Sequence, residues 1–268
     1  MTLDCNGKFL DLKNPKVMGI LNLTPDSFYD GGKYQSIRLA LKRCEEMLNQ
    51  GADIIDIGAA SSRPGSKIIS EKEELNRLIP ILKFLIKEFD SVIFSVDTFR
   101  SRVASASLDE GVGIINDITA GRFDLKMHSV VGKHKAVYVA MHMQGLPQNM
   151  QENPIYKNIT KELLNFFLDK INSCHVNKIK QVIIDPGFGF GKNLEQNFTL
   201  LKNLEIFQKL NVPVLVGLSR KSMIYKSLEI EAAEALNGTS VLNTVALLKK
   251  ANIIRVHDIK EAKESIEL

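Results

Sequence analysis

Val182-Ile183-Ile184-Asp185-Pro186-Gly187-Phe188-Gly189-Phe190-Gly191-Lys192 places a carboxylate where an apolar run gives way to a glycine-rich loop. The three β-branched residues read as a buried strand, and a polar, helix-like segment follows from about Asn193. Three alternate glycines let the backbone bend sharply and approach another group closely. Two nucleotide motifs are absent. A phosphate-cradling P-loop needs four residues between its glycines and then Lys-Ser/Thr, whereas three separate Gly187 from Gly191 and Asn193 follows Lys192. The dinucleotide pattern Gly-x-Gly-x-x-Gly does not fit Gly-x-Gly-x-Gly either. Glycines that serve only the geometry of a strand-to-helix loop are the plainer reading.

The same unit recurs along the chain. Short apolar runs at Val17–Leu21, Asp53–Ile57, Val92–Val96, Gly113–Ile115, Ala136–Met141, Val182–Ile184, Val214–Gly217 and Ile253–Val256 give eight strands. Helical patterns fall near 36–50, 71–88, 100–109, 124–132, 158–174, 193–210, 220–250 and 258–266, and Asn237-Gly238 is a candidate break in the long 220–250 stretch. Eight strands with intervening helices imply parallel pairing through right-handed crossovers. In 268 residues the expected solution is a single α/β (β/α)8 TIM barrel over 1–268, with residues 1–16 as a lead-in covering its floor. A doubly wound open sheet is the alternative.

Composition narrows the function. Apolar residues make up 44%, enough for a large core, and a net charge of +4 suits small anionic ligands without demanding nucleic acid. With 7% aromatic residues and no Trp, a base-stacking platform is not expected. Cys5, Cys44 and Cys174 are too few and too far apart for a disulfide framework, which suits a reducing compartment. No signal peptide or membrane span is visible, so a cytoplasmic location is expected, without nucleic-acid or membrane partners.

Chemistry-bearing residues gather at the carboxyl ends of the strands. Asn22 with Thr24 to Gly32, Ser61 to Gly65, Asp97-Thr98, Asn116-Asp117, His142, Asp185, Ser219 to Ser222, and Arg255 with His257-Asp258 all follow or end a strand. In a barrel these ends converge on one mouth, where enzymes of this architecture place their sites. Arg63, Lys221, Arg255 and His257 suit a polyanion, as does the helix start at Ser219 to Ser222. Asp97, Asn116 and Asp185 need partners where they are partly buried. Ring and amino N–H groups of a planar heterocycle would supply them; so would helix capping or pairing with Arg63 or Lys221. Phe28 and Phe190 suit the flanks of a second ring. No nucleophile stands out: Gly217-Leu218-Ser219 lacks the second glycine of a nucleophile elbow, and no cysteine ends a strand. The histidines are too scattered for a transition-metal cage, and His142 reads as packing or a hydrogen bond. Magnesium keeps most of its waters and takes phosphate oxygens, so one protein oxygen such as that of Asn22 suffices.

These residues resemble a known family. Gly19-Ile20-Leu21-Asn22-Leu23-Thr24-Pro25-Asp26-Ser27-Phe28-Tyr29-Asp30-Gly31-Gly32 is similar to the first signature of the dihydropteroate synthases. Asp56-Ile57-Gly58 with Ser62-Arg63-Pro64-Gly65 resembles the second. Ser95 to Thr98, Ile115 to Asp117, Met141 to Met143, the Asp185 loop, Gly217 to Ser222 and Arg255 to Asp258 follow in order, over nearly the whole chain. The resemblance implies a TIM-barrel homodimer of folate biosynthesis. Its members join dihydropterin-6-ylmethyl diphosphate to 4-aminobenzoate, releasing diphosphate and dihydropteroate. It makes Asn22 the ligand of a magnesium ion. Asp97, Asn116 and Asp185 would hold the pterin edge, with Lys221 beside the pterin. Ser62 belongs to the same pterin and diphosphate set, and Arg63, Arg255 and His257 would hold the diphosphate. Ser222 would meet the aminobenzoate carboxylate, with Phe28, Pro64 and Phe190 flanking its ring. Asp97, Lys221 and Arg255 would be the catalytic groups.

One departure stands in the second signature, where Ala60 replaces a usual glutamate and Ser62 a usual threonine. Two rival readings share the pterin edge. A methyltetrahydrofolate-handling barrel would not need the cations Lys221, Arg255 and His257. A catalytically silent paralogue would have Ala60 as its only support.

Overall fold

Each apolar run forms a strand, and the alternation within each run decides which way its side chains face. The computed structural model describes residues 1–23, 33–60, 69–145, 150–151 and 154–268. A hairpin of β1 (Thr2–Asp4) and β2 (Phe9–Asp11) comes first. The barrel strands are β3 (Lys16–Asn22), β4 (Ile54–Gly58), β5 (Ile93–Asp97), β6 (Ile114–Asp117), β7 (Val137–Met141), β8 (Val182–Asp185), β9 (Leu215–Val216) and β10 (Ile253–Val256). They pair in parallel in the order β8-β7-β6-β5-β4-β3-β10-β9. A parallel bridge between Ile184 and Val214, with Ile184 N donating to Pro213 O at 3.0 Å, brings β8 against the approach to β9 and closes the ring.

The helices are α1 (Lys33–Asn49), α2 (Glu71–Glu88), α3 (Ser101–Asp109), α4 (Met127–His134), α5 (Ile159–Val176), α6 (Leu194–Lys202), α7 (Ser222–Leu228), α8 (Leu236–Leu248) and α9 (Ile259–Glu267). α2 starts as its sequence signals: Ser70 Oγ accepts from Glu73 N at 3.2 Å, and Glu71, Glu73 and Glu74 face the positive end of the helix dipole. Among the described residues no helix is long and apolar enough to cross a membrane.

Two apolar layers follow from the period of two. Outward-facing Val17, Leu21, Ile55, Ile57, Phe94, Val96, Ile115, Tyr138, Ile184 and Val256 pack under the helices. Inward-facing Met18, Ile54, Ile93, Ile114, Val137, Val139, Ile183, Leu215 and Ile253 fill the lower interior together with Leu3, Cys5, Leu10 and Leu12. The first residues are therefore a plug with its own strands. Asn6 and Gly7 both take positive φ, as a two-residue hairpin loop requires.

The 220–250 region does break in two, but not at Asn237-Gly238. α7 ends where Glu229 turns left-handed, and a 3-10 turn at Ala232–Glu234 leads into α8, which runs through both residues. Gly238 serves close packing instead: a Cβ there would lie 2.3 Å from Ile224 Cγ2 of α7.

The plug is fitted to the barrel backbone to backbone. A Cβ on Gly113, just before β6, would lie 2.6 Å from the carbonyl oxygen of Cys5. Gly113→Ala is therefore expected to lower stability by about 1–3 kcal/mol, measured by urea unfolding. An unchanged midpoint would show that the hairpin is not held there.

Candidate active site

Above the apolar floor, the same inward-facing positions become polar. Asp56 and Ser95 are register partners on β4 and β5, and Asp97 and Asn116 are partners on β5 and β6. Asn22 ends β3 opposite Gly58 of β4, and Asp185 ends β8. Parity also separates residues adjacent in sequence. Asp117 faces the helices, where it accepts from Tyr138 Oη at 2.7 Å and from Thr119 and Gly121. It belongs to the wall, not the mouth. Asp258 likewise pairs with Arg220 through two contacts of 2.9 Å.

Arg255 interrupts the apolar strand Ile253-Ile254-Arg255-Val256 and carries its charge into the interior. Its Nε donates to Asp56 Oδ2 at 2.7 Å and its Nη2 to Asp97 Oδ2 at 3.0 Å. Asn116 Nδ2 donates to the same Asp56 oxygen at 3.0 Å. Asp56 is fully buried and orients both neighbours, although the sequence reading gave it no role. The available signal was a charge set among Ile54, Ile55 and Ile57, matched by one of opposite sign in β10. Asp56 Oδ1 and Ser95 Oγ are buried with no hydrogen-bond partner among the described residues. Behind Asp97, Thr98 Oγ1 donates to buried Glu74 at 2.7 Å, and Glu74 also pairs with Arg100.

Burial pushes the Asp97 carboxyl up; the Arg255 guanidinium opposes the rise and the Asp56 carboxylate adds to it. Asp185 is raised by burial, opposed by the Gly187 N–H and by Lys221 and Arg255. Lys221 precedes α7 and lies 4.2 Å over the Phe190 ring. Burial lowers its ammonium to about 8, with Asp185 opposing and Arg255 adding to the fall. At the far side of the mouth, Ser219 Oγ accepts from His257 N at 3.2 Å and lies 3.1 Å from His257 Nδ1.

Asp97, Asn116, Asp185, Lys221, Arg255 and His257 thus arise from four strand ends and the α7 entrance. Ser222 is the first residue of α7, and Phe190 packs beside Met141, Met143 and Ile118. Phe188 is buried in the main core. Phe28, Ser62, Arg63 and Pro64 lie outside the described residues. Among those described, no cluster of three His, Cys, Asp or Glu side chains forms a metal cage. An oxygen placed at the mouth is that of the Asn22 amide, 3.6 Å from where a Cβ on Gly58 would lie. That single oxygen fits a hard cation that keeps water and substrate oxygens.

A family model described as "Pterin binding enzyme" matches residues 18–257. The dihydropteroate synthase of Escherichia coli is 43% identical over 270 residues, covering 100% of this chain and 95% of that protein. The crystal structure of the Yersinia pestis dihydropteroate synthase with a sulfonamide drug superposes with a TM-score of 0.93 at 41% identity, covering 99% of this chain and 97% of that one. That of the Xanthomonas albilineans enzyme with 4-aminobenzoic acid gives 0.92 at 36%, covering 99% and 96%.

Two outcomes are expected from the ion network. Asp56→Ala leaves Arg255 partly uncompensated in the interior and should cost about 3–5 kcal/mol in denaturant unfolding; a loss below about 1 kcal/mol would show that the pair is well solvated. Lys221 has a folded pKa near 8, below an unfolded value of about 10.4. The unfolded chain therefore binds the extra proton between them, and this residue makes stability rise with pH across that window. The stability difference between parent and Lys221→Met should show that rise, whereas a flat difference would place the ammonium in water.

Proposed function

The chain belongs to the dihydropteroate synthases of the pterin-binding enzyme family, and we propose how its own residues carry the reaction. It is a transferase that condenses (7,8-dihydropterin-6-yl)methyl diphosphate with 4-aminobenzoate to give 7,8-dihydropteroate and diphosphate, a step of folate biosynthesis. The observation that carries the residue assignments is the inward pairing of Arg255 with Asp56 and Asp97, one tier below the mouth.

In this reading Asp97, Asn116 and Asp185 take the N–H edge of the pterin, and Lys221 lies against it. Arg255 presents Nη1, the nitrogen engaged by neither carboxylate, toward the diphosphate, together with His257 and Arg63. Ser62 completes that side. The methylene C–O bond breaks and diphosphate leaves with the bonding pair. The pterin ring nitrogens spread the resulting positive charge, and the Asp97 carboxylate stabilises it. The neutral arylamine then attacks the methylene carbon and loses a proton. A weakly basic amine that is already neutral needs no nucleophilic side chain, in keeping with a sequence in which none stands out. Ser222 takes the aminobenzoate carboxylate, with Phe190, Phe28 and Pro64 about its ring. When bound, magnesium supplies charge neutralisation to the diphosphate oxygens, and Asn22 would hold it. The absence of a glutamate at Ala60 does not remove any group that this route uses.

A homodimer, like a cytoplasmic location, is part of the same proposal. Val241 and Leu248 lie seven residues apart on one face of α8, and both are exposed, as is Leu228 of α7. A second copy of the chain would cover them. The three cysteines are free and buried, in keeping with a reducing compartment.

Diphosphate release that requires both substrates and magnesium tests the whole reading; release with neither requirement would contradict it. Arg255→Ala is expected to lower kcat by roughly 10²–10³, the usual effect of losing one charge-stabilising donor, and an unchanged kcat would remove Arg255 from the anion site. Val241→Glu with Leu248→Glu should turn a dimer into a monomer in sedimentation, and a monomeric parent would refute the interface.

A further inference from the structure

Lys192 closes the glycine-rich stretch, yet the reaction above leaves it without a task. Its ammonium does not face the mouth. The side chain is only 2% exposed. Nζ lies within hydrogen-bond reach of four acceptors drawn from two strand ends. After β7 these are His142 O at 3.3 Å and His142 Nδ1 at 3.1 Å. After β8 they are Gly187 O at 2.9 Å and Phe190 O at 3.0 Å. All four are uncharged, because burial, then Lys192 itself, holds the His142 imidazole well below its usual pKa. With Nδ1 accepting, the ring keeps its proton on Nε2 and stands edge-on to Phe166, 4.8 Å between centroids.

The glycines explain how those carbonyls come to face one point. A Cβ on Gly187 would lie 2.0 Å from His142 O, and one on Gly191 2.5 Å from Gln144 O. Both residues take positive φ. The loop therefore lies directly on the backbone of residues 142–144, an approach no larger residue permits. The same loop fixes two groups of the site. Gly187 N donates to Asp185 Oδ1 at 2.7 Å, and Phe190 N donates to Gly187 O at 3.1 Å. Asn197 and Tyr156 hold the outer edge, through Gly189 N at 2.8 Å and Gly191 O at 2.8 Å.

We propose that Lys192 is a positioning residue for pterin binding: by gathering the Gly187 and Phe190 carbonyls onto His142, its ammonium sets Asp185 and Phe190 in fixed relation to each other at the barrel mouth. The inference rests on the proposed role of Asp185 in holding the pterin. It also explains why a charge is retained here. A buried ammonium without a carboxylate partner is costly, and an apolar side chain of similar length often serves the fold as well or better. Burial lowers this group to about 7, with Asp185 opposing, so the fold alone gives little reason for a lysine.

The test compares Lys192→Met and Lys192→Gln with the parent and with Asp185→Asn. Calorimetry measures the Kd for 7,8-dihydropteroate, kinetics separate KM for the pterin diphosphate from kcat, and hydrogen exchange follows residues 186–192 against the hairpin at 2–11. The expected result is folded variants whose Kd and pterin KM rise about tenfold or more, with a smaller change in kcat. Exchange should quicken at 186–192 and stay unchanged in the hairpin. A Kd within about twofold of the parent in a folded variant would overturn the proposal. Failure of both variants to fold would also overturn it, since Lys192 would then serve the barrel itself. If Asp185→Asn weakens binding while the Lys192 variants do not, this inference alone fails. If Asp185→Asn binds as the parent does, the pterin role of Asp185 fails instead.

Discussion

A guanidinium inside a barrel must be neutralised where it lies, and Arg255 is neutralised by Asp56 and Asp97 at 2.7 and 3.0 Å. Much of the mouth follows from that constraint. Asp56 cannot move without releasing Asn116, which donates to the same oxygen. Asp97 cannot turn away without leaving a charge unpaired in a poorly solvated interior. Two acids around one cation leave the tier close to balance, and Lys221 and Asp185 repeat the arrangement in looser form. Such a mixture suits the proposed site, in which the acids would take the ring side and the cations the leaving group.

The barrel makes this affordable by dividing its interior by height. The lower tier is wholly apolar and sealed by the hairpin, so Leu3, Cys5, Leu10 and Leu12 take the place of water beneath the ion network. The outer faces of the same strands belong to the helices. Only the upper inward positions are left for polar side chains, which is why the residues of the site come from so many separate points of the sequence. Loop packing completes the frame: the stretch 187–191 rests on the backbone of 142–144, tied by Lys192.

Most of the frame was legible because it rests on periodicity. Eight apolar runs gave eight strands, and the polar residues closing them gave the mouth. What escaped notice depends on information that a short window does not contain. Asn6-Gly7 is a turn signal, but β1 and β2 span only three residues each, too short a run for their alternation to mark them as strands. Gly238 looked like a break because a glycine chosen for close helix packing and one chosen to end a helix read alike; only Ile224, fourteen positions earlier, distinguishes them. Asp117 stands beside Asn116 at the same strand end, and parity sends it to the wall. The roles of Asp56 and Lys192 are not legible in the sequence because Arg255 and His142, which help to fix them, are distant in it.

The claim at the centre is that Asp56 and Arg255 act as one unit, and a double-mutant cycle on the two measures it directly. Asp56→Asn, Arg255→Gln and the double variant would be compared with the parent in denaturant unfolding and in kcat/KM. Coupling of about 0.5–3 kcal/mol in stability, with the double variant no less active than Arg255→Gln alone, is the predicted result. Effects that add to within about 0.5 kcal/mol would contradict it, and would mean that the site is held by something other than this ion pair.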